Sequence, residues 1–258
     1  MNSLGVLMPT IEALNHTIYY QTVGEGRPLL LMHGWTDVGR DLLSVAESLP
    51  EYQCILPDLP GYGNSVPPHR TFPQDFYFRD AGVMCAFLDE ISLKDVHIAG
   101  FSDGGEVALL MPIMRPDLCR SVMAWGAVGA FGLDAAQRAR QGKMPSWFDT
   151  SLEAKHPGQD VYSWHRAWVE GFAAMIEAGG DLSLGRASEI LCPLFLMLGE
   201  HDTLNPIVAG ERFIRQAARE KMIRRLEAFK GAGHAIHSEQ PEAFIAAYRA
   251  FLKDVDKS

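Results

Sequence analysis

Basic charge, closely spaced cysteines and long apolar runs are all scarce in this chain of 258 residues. Lys and Arg number 23 against 32 Asp and Glu, for a formal charge of -9, and the basic residues are scattered apart from short pairs such as Arg224-Arg225. No basic face is therefore expected to hold a phosphate backbone, and nucleic acid is excluded as a partner. The cysteines, Cys54, Cys85, Cys119 and Cys192, form no C-x-x-C or Cys/His ligand spacing. That spacing excludes a zinc site and a dense disulfide framework, and leaves four buried thiols as the plainer expectation. The first residues, Met1 to Pro9, hold no basic stretch and no apolar run long enough for a signal or a membrane span. A cytoplasmic protein with no membrane partner is the expectation that follows. No internal repeat or low-complexity run is visible, and the oligomeric state leaves no mark.

What is present is an ordinary globular composition, 47% hydrophobic and 21% charged, in a length that suits one α/β unit with an insertion. Residues 17–23 alternate and end at Gly24-Glu25-Gly26, the pattern of an antiparallel edge strand and its turn. Apolar runs at 29–32, 54–56, 96–99, 121–125 and 193–198 suit strands covered on both faces, and 224–229 completes the set. Helical spacing lies between them at 42–49, 80–91 and 206–219, and again at 241–252. Strands alternating with helices predict a doubly wound, mostly parallel α/β sheet. From about 131 to 187 the alternation stops, in a stretch with Trp147, Trp164 and Trp168 but no apolar strand. The expected organisation is a core of residues 1–130 and 188–258 with a helical cap, residues 131–187, inserted between two strands.

Gly100-Phe101-Ser102-Asp103-Gly104 fits G-x-S-x-G, follows one apolar run and opens a helical stretch at 104–111. A serine hydroxyl is nearly inert at neutral pH, so a fold that uses it must hold it on a sharp strand-to-helix turn beside a base. The flanking glycines permit that turn, and the helix N-terminus would face a developing oxyanion. An acid and a base must then follow. Asp202 ends Gly199-Glu200-His201-Asp202 after a late strand, and His234 ends Gly231-Ala232-Gly233-His234 after the last one. In those places Asp202 would fix the imidazole tautomer while His234 takes the Ser102 proton and returns it to the leaving group. Glu200 is a rival acid, and Asp202 also suits turn chemistry before Asn205-Pro206. His237 reads as a surface or supporting residue, and His97 and His201 as packed or solvent-facing. Because serine, acid and histidine arrive in a known order, Ser102, Asp202 and His234 are the expected catalytic set.

Two donors for the oxyanion are expected from the backbone N–H of Asp103 and from that of Trp35, which follows His33-Gly34 and the strand at 29–32. His33 itself reads as structural, bonded to loop backbone. The turn from Asp58 through Gly61-Tyr62-Gly63-Asn64-Ser65 has no following lysine or G-K-[ST], so a loop-shaping role is favoured over phosphate binding. Glu106 suits the first turn of a helix without catalytic duty, and Pro112 affects packing. Trp125, at the end of a predicted strand, is expected to line the acyl pocket, with a buried core position as its rival reading.

As a set, His33-Gly34, Asp58 with residues 61–65, residues 100–105, Asp202 and Gly233-His234 resemble the α/β-hydrolase superfamily over nearly the whole chain. Residues 102–105, Phe72-Pro73-Gln74-Asp75-Phe76 with Arg79-Asp80-Ala81, and Trp125-Gly126-Ala127 resemble its valacyclovir hydrolase (biphenyl hydrolase-like) group of serine esterases. The resemblance implies an α/β-hydrolase fold and a serine hydrolase that needs no metal or organic cofactor and acts on a small-molecule ester. It also implies that the acidic residue after the nucleophile, Asp103, pairs with the α-amino group of an amino-acid ester. A carboxylate beside a developing oxyanion opposes it unless a cation neutralises it, which agrees with that role. Its rival has Asp103 bonded to backbone or to an arginine such as Arg79. His33 departs from the group at the position before the glycine. The expected activity is cleavage of carboxylic esters, with α-amino acid esters or small amides as the narrower class. The alternatives are a carbon–carbon bond hydrolase of the meta-cleavage type, whose anionic substrates Asp103 would repel, and a low-turnover ligand receptor.

Overall fold

The computed structural model describes residues 9–67, 70–145 and 148–257. Among them, β1 (Thr10–Ala13), β2 (His16–Val23), β3 (Arg27–Met32), β4 (Tyr52–Pro57), β5 (Val96–Phe101), β6 (Cys119–Trp125), β7 (Leu194–Gly199) and β8 (Arg224–Phe229) form one sheet. Its order is β1-β2-β4-β3-β5-β6-β7-β8. The β1–β2 and β2–β4 pairings are antiparallel and the remaining five are parallel. All six residues of β5 and all six of β7 are buried, as continuous apolar runs require when helices cover both faces. Sequence periodicity misses β1, whose four residues bury a single side chain and so carry no legible alternation.

On one face lie α1 (Leu43–Glu47), the short α8 (Ile236–Glu239) and α9 (Pro241–Asp256). Proline starts α9 at a position where its missing N–H costs nothing, and Phe244, Tyr248, Phe251 and Leu252 follow at helical spacing, wholly buried. On the other face lie α2 (Phe76–Glu90), α3 (Asp103–Met114) and α7 (Ile207–Gln216). Between the sheet and its neighbours α3 is buried on nearly every side, and Pro112 sits in its last turn, where the helix is ending.

The chain leaves the sheet after β6 and returns at β7, folding α4 (Leu133–Gln141), α5 (Thr150–Lys155) and α6 (Val161–Glu177) in between. The two ends of this excursion meet: the Phe131 N–H donates to the Gly180 carbonyl at 2.8 Å, and the Gly129 carbonyl accepts from Leu182, Ser183 and Leu184. This excursion is keyed to the loops after β3 and β4 by His156, whose Nδ1 accepts from Gly63 N–H at 2.8 Å and whose Nε2 lies 2.9 Å from the Thr36 carbonyl. Burial pushes that imidazole down to about 4, so it stays neutral and can both accept and donate. Trp164 of α6 fills the same joint against Tyr62 and Phe72. Trp147 lies outside the described residues.

Candidate active site

Ser102 follows the last residue of β5 and caps α3 with φ 52° and ψ −119°, a backbone that a serine adopts only when its surroundings enforce it. Its N–H donates to the Trp125 carbonyl at 2.9 Å and its carbonyl accepts from Glu106 at 3.0 Å. The turn closes so tightly that a Cβ on Gly100 would lie 2.1 Å from the Gly104 carbonyl oxygen, and one on Gly104 2.4 Å from that of His33. Close approach, then, is what requires glycine on each side of the serine.

The His234 Nε2 lies 3.0 Å from Ser102 Oγ, and its Nδ1 lies 2.7 Å from Asp202 Oδ2. The other oxygen of Asp202 accepts the Leu204 and Asn205 N–H groups at 2.9 and 3.0 Å. Burial raises the Asp202 carboxyl, but the His234 hydrogen bond and these backbone donors outweigh it and hold the group below its usual range. Asp202 thus combines both readings made of it, turn former and imidazole partner. Glu200 instead accepts Gly231 N–H at 2.8 Å.

Two residues that sequence reasoning missed position His234. Glu239 accepts from Gly233 N–H at 2.6 Å and Ala235 N–H at 3.0 Å, gripping the histidine loop on both sides. Gly126, with φ +62°, lets the imidazole lie where a Cβ would be 2.8 Å from Cε1. An acidic residue just after a glycine-flanked histidine was the available signal for the first. For the second, a glycine directly after a strand was the signal.

A cavity of about 620 Å³ opens on Ser102 and His234, lined also by Trp35, Asp37, Asp103 and Trp168. The loop carrying Trp35 abuts the nucleophile, since a Cβ on Gly34 would lie 3.2 Å from Ser102 Cβ. The Asp103 N–H belongs to the first turn of α3, where amides have no intrahelical acceptor. Its carboxylate is held by two neutral donors, Tyr77 Oη at 2.7 Å and Trp168 Nε1 at 3.0 Å. Arg79 pairs with Asp75, and Arg70 with Asp80. Burial pushes the Asp103 carboxyl up to about 6 against those two hydrogen bonds. Asp37 is likewise raised to about 6, by burial and by Asp41, with Lys155 opposing from 3.8 Å.

Trp125 is placed elsewhere than expected. The register of β6 turns it to the α9 face, where it is fully buried against Phe101, Phe244 and Tyr248, behind the cavity wall. Its indole N–H donates to His237 Nδ1 at 3.1 Å, and it is His237 that lines the cavity. Trp168 walls the cavity, stacking on Trp35 at 4.7 Å. His33 is fully buried, accepting from Leu59 N–H at 2.9 Å and facing the Gly34 carbonyl at 2.8 Å. Asp58 accepts Gly39 and Asn64 N–H groups and shapes its loop, while Glu106 ties down Val128 and Gly129. The four thiols are free and buried. Among the described residues no group of three or more His, Cys, Asp or Glu is placed to hold a metal, and no helix is long and apolar enough to cross a membrane.

The alpha/beta hydrolase family matches over residues 29–247. Serine hydrolase BPHL of Mus musculus is 28% identical over 251 residues, covering 92% of this chain and 83% of its own. Among solved structures, a thermophilic esterase from Thermogutta terrifontis superposes with a TM-score of 0.71 at 21% identity, over 96% of this chain and 98% of that one. The meta-cleavage product hydrolase CumD of Pseudomonas fluorescens does so with 0.72 at 20% identity, over 95% and 97%.

Proposed function

The chain belongs to the alpha/beta hydrolase family and is a hydrolase, and from that premise we propose that it cleaves carboxylic esters of small molecules through an acyl-enzyme on Ser102. Esters or small amides of α-amino acids are the favoured class. The observation that carries this reading is the hydrogen-bonded chain Ser102–His234–Asp202 beside a buried carboxylate, Asp103, whose two hydrogen bonds among the described residues come from the neutral donors Tyr77 and Trp168. Ser102 Oγ attacks the carbonyl carbon as its proton passes to His234 Nε2, and Asp202 holds the Nδ1–H of the resulting imidazolium. The anionic oxygen is received by the Trp35 and Asp103 N–H groups. Collapse expels the alcohol with the proton from His234, and water frees the acid by the same route. General base catalysis contributes roughly 100- to 10,000-fold and each oxyanion donor about 100- to 1,000-fold.

Residues 131–187 act as the cap, supplying Ser151, Leu152, Lys155 and Trp168 to the cavity wall. An α-ammonium group would give Asp103 a directly bonded countercharge in addition to the longer-range pull of Arg70. The carbon–carbon hydrolase alternative requires an anionic diketone to enter a cavity lined by Asp37 and Asp103 against Lys155, the one Lys or Arg among the described lining residues. A receptor would give a single burst of nitrophenol from a nitrophenyl ester, whereas the enzyme gives steady release.

The test is kcat/KM for valine benzyl ester against its N-acetyl form. A charged hydrogen bond predicts a preference of roughly 10- to 100-fold for the free amine, lost in Asp103→Asn. Equal values for the two esters would sink the amino-ester class. Because burial pushes the Asp103 carboxyl up to about 6, protonation below that pH neutralises it, and the preference for the amine is expected to fall as pH drops through this range.

A further inference from the structure

His237 lines the cavity, and its hydrogen-bonding state is dictated from behind the wall. An indole N–H can only donate, so the 3.1 Å contact from Trp125 Nε1 makes His237 Nδ1 an acceptor and leaves the ring proton on Nε2. Burial lowers the imidazole to about 4, with the nearby His234 acting in the same direction and Glu239 against it, so the ring is neutral. The Nδ1 edge faces fully buried Trp125 and the ring lies on Phe101 at 4.6 Å. The opposite edge, which carries Nε2–H, is therefore the one turned to the cavity that His237 shares with Ser102 and His234.

His237 sits three residues after His234 on the same wall. In the ester-hydrolase reading His234 returns its proton to the departing alcohol, so the leaving group occupies this side of the cavity. His237 cannot compete as a base, because the nitrogen it presents is already protonated. We infer that His237 is a fixed hydrogen-bond donor to the leaving group, so that favoured substrates carry a hydroxyl, ether or carbonyl oxygen on the alcohol or amine side close to the scissile bond. This rests on the ester-hydrolase reading and extends it to the half of the substrate that Asp103 does not touch. Trp125 is then a positioning residue acting through His237.

Valine methoxyethyl ester and valine butyl ester differ only by an ether oxygen in place of a methylene. Their kcat/KM ratio is expected to fall about fivefold in His237→Phe, the loss of one neutral hydrogen bond. His237→Gln should restore it, since an amide can accept from Trp125 and donate to the cavity. Nitrogen-15 shifts of the His237 ring provide a readout independent of turnover: a single Nε2–H tautomer near neutral pH in the parent protein, and a mixture of tautomers in Trp125→Phe. A ratio unchanged in His237→Phe while both esters are cleaved overturns the inference alone, as does an Nδ1–H or cationic ring. Cleavage of neither ester by the parent protein overturns the ester-hydrolase reading and this inference with it.

Discussion

Among the described residues, two groupings of serine, histidine and aspartate lie at opposite ends of one strand. Beyond the C-terminal end of β5, Ser102, His234 and Asp202 are linked at 3.0 and 2.7 Å and open on a cavity. At its start, His97 lies 2.7 Å from Ser121 Oγ and 3.4 Å from Asp256 Oδ1. The residue types match and the chemistry does not. His97 and Ser121 are fully buried, and Ser121 sits in a regular strand where Ser102 has an enforced turn. Asp256 divides itself between Tyr52 and Arg120, at 2.8 and 2.9 Å, whereas Asp202 directs one oxygen wholly to His234. Access, backbone strain and an undivided carboxylate make the first grouping suited to catalysis, and the second is a tie that fastens the end of α9 to the sheet.

Exchanging the serines should break the comparison most sharply. Ser102→Ala is expected to lower turnover of a short-chain nitrophenyl ester by roughly 10,000-fold or more, while Ser121→Ala stays within about twofold. A comparable loss from the folded Ser121→Ala protein would overturn the division of roles. The aspartates come next. Asp202→Asn presents an amide to the imidazole and favours the wrong tautomer, for a loss of about 1,000- to 10,000-fold in kcat at near-unchanged KM. Asp256→Asn should keep kcat and lose roughly 1–3 kcal/mol in urea unfolding, because it weakens hydrogen bonds to Tyr52 and Arg120.

Much of the working grouping is legible in the chain because its signals are local: glycines beside the serine, a carboxylate after one strand and a glycine-flanked histidine after the last. What is not local is not legible. The donors that hold Asp103 come from α2 and α6, tens of residues away, so the rival sequence reading, which gives Asp103 a partner within the protein, offers an arginine or backbone where Tyr77 and Trp168 stand. Trp125 fails differently. Its strand is apolar on both faces, and a run without alternation cannot say which side chains face the cavity and which face α9. The strands are recovered except for β1, too short to show a period, and its pairing puts the strand expected at the edge, residues 17–23, second in the sheet. The tie through His97 is invisible, since residues 97, 121 and 256 share no motif.

The smallest expected effect on turnover, none at neutral pH, belongs to His97→Gln, yet this variant separates the two histidines most cleanly. Burial lowers the His97 imidazole from 6.5 to about 4, with Asp256 only partly opposing. The folded state therefore holds it neutral while the unfolded chain takes up a proton below the ordinary value. Stability falls as pH drops from about 6.5 to about 4, and this one group accounts for roughly 3 kcal/mol of the loss. Below about 4 both states are protonated and His97 contributes nothing further. The Asp256 carboxyl, held low by Tyr52 and Arg120 against the effect of burial, loses its own contribution only in more acid solution. Thermal unfolding from pH 7 to 4 should show a shallower decline in His97→Gln than in the parent protein. Parallel curves would mean that His97 is not held neutral by the fold, and the buried grouping would lose its standing as a neutral tie.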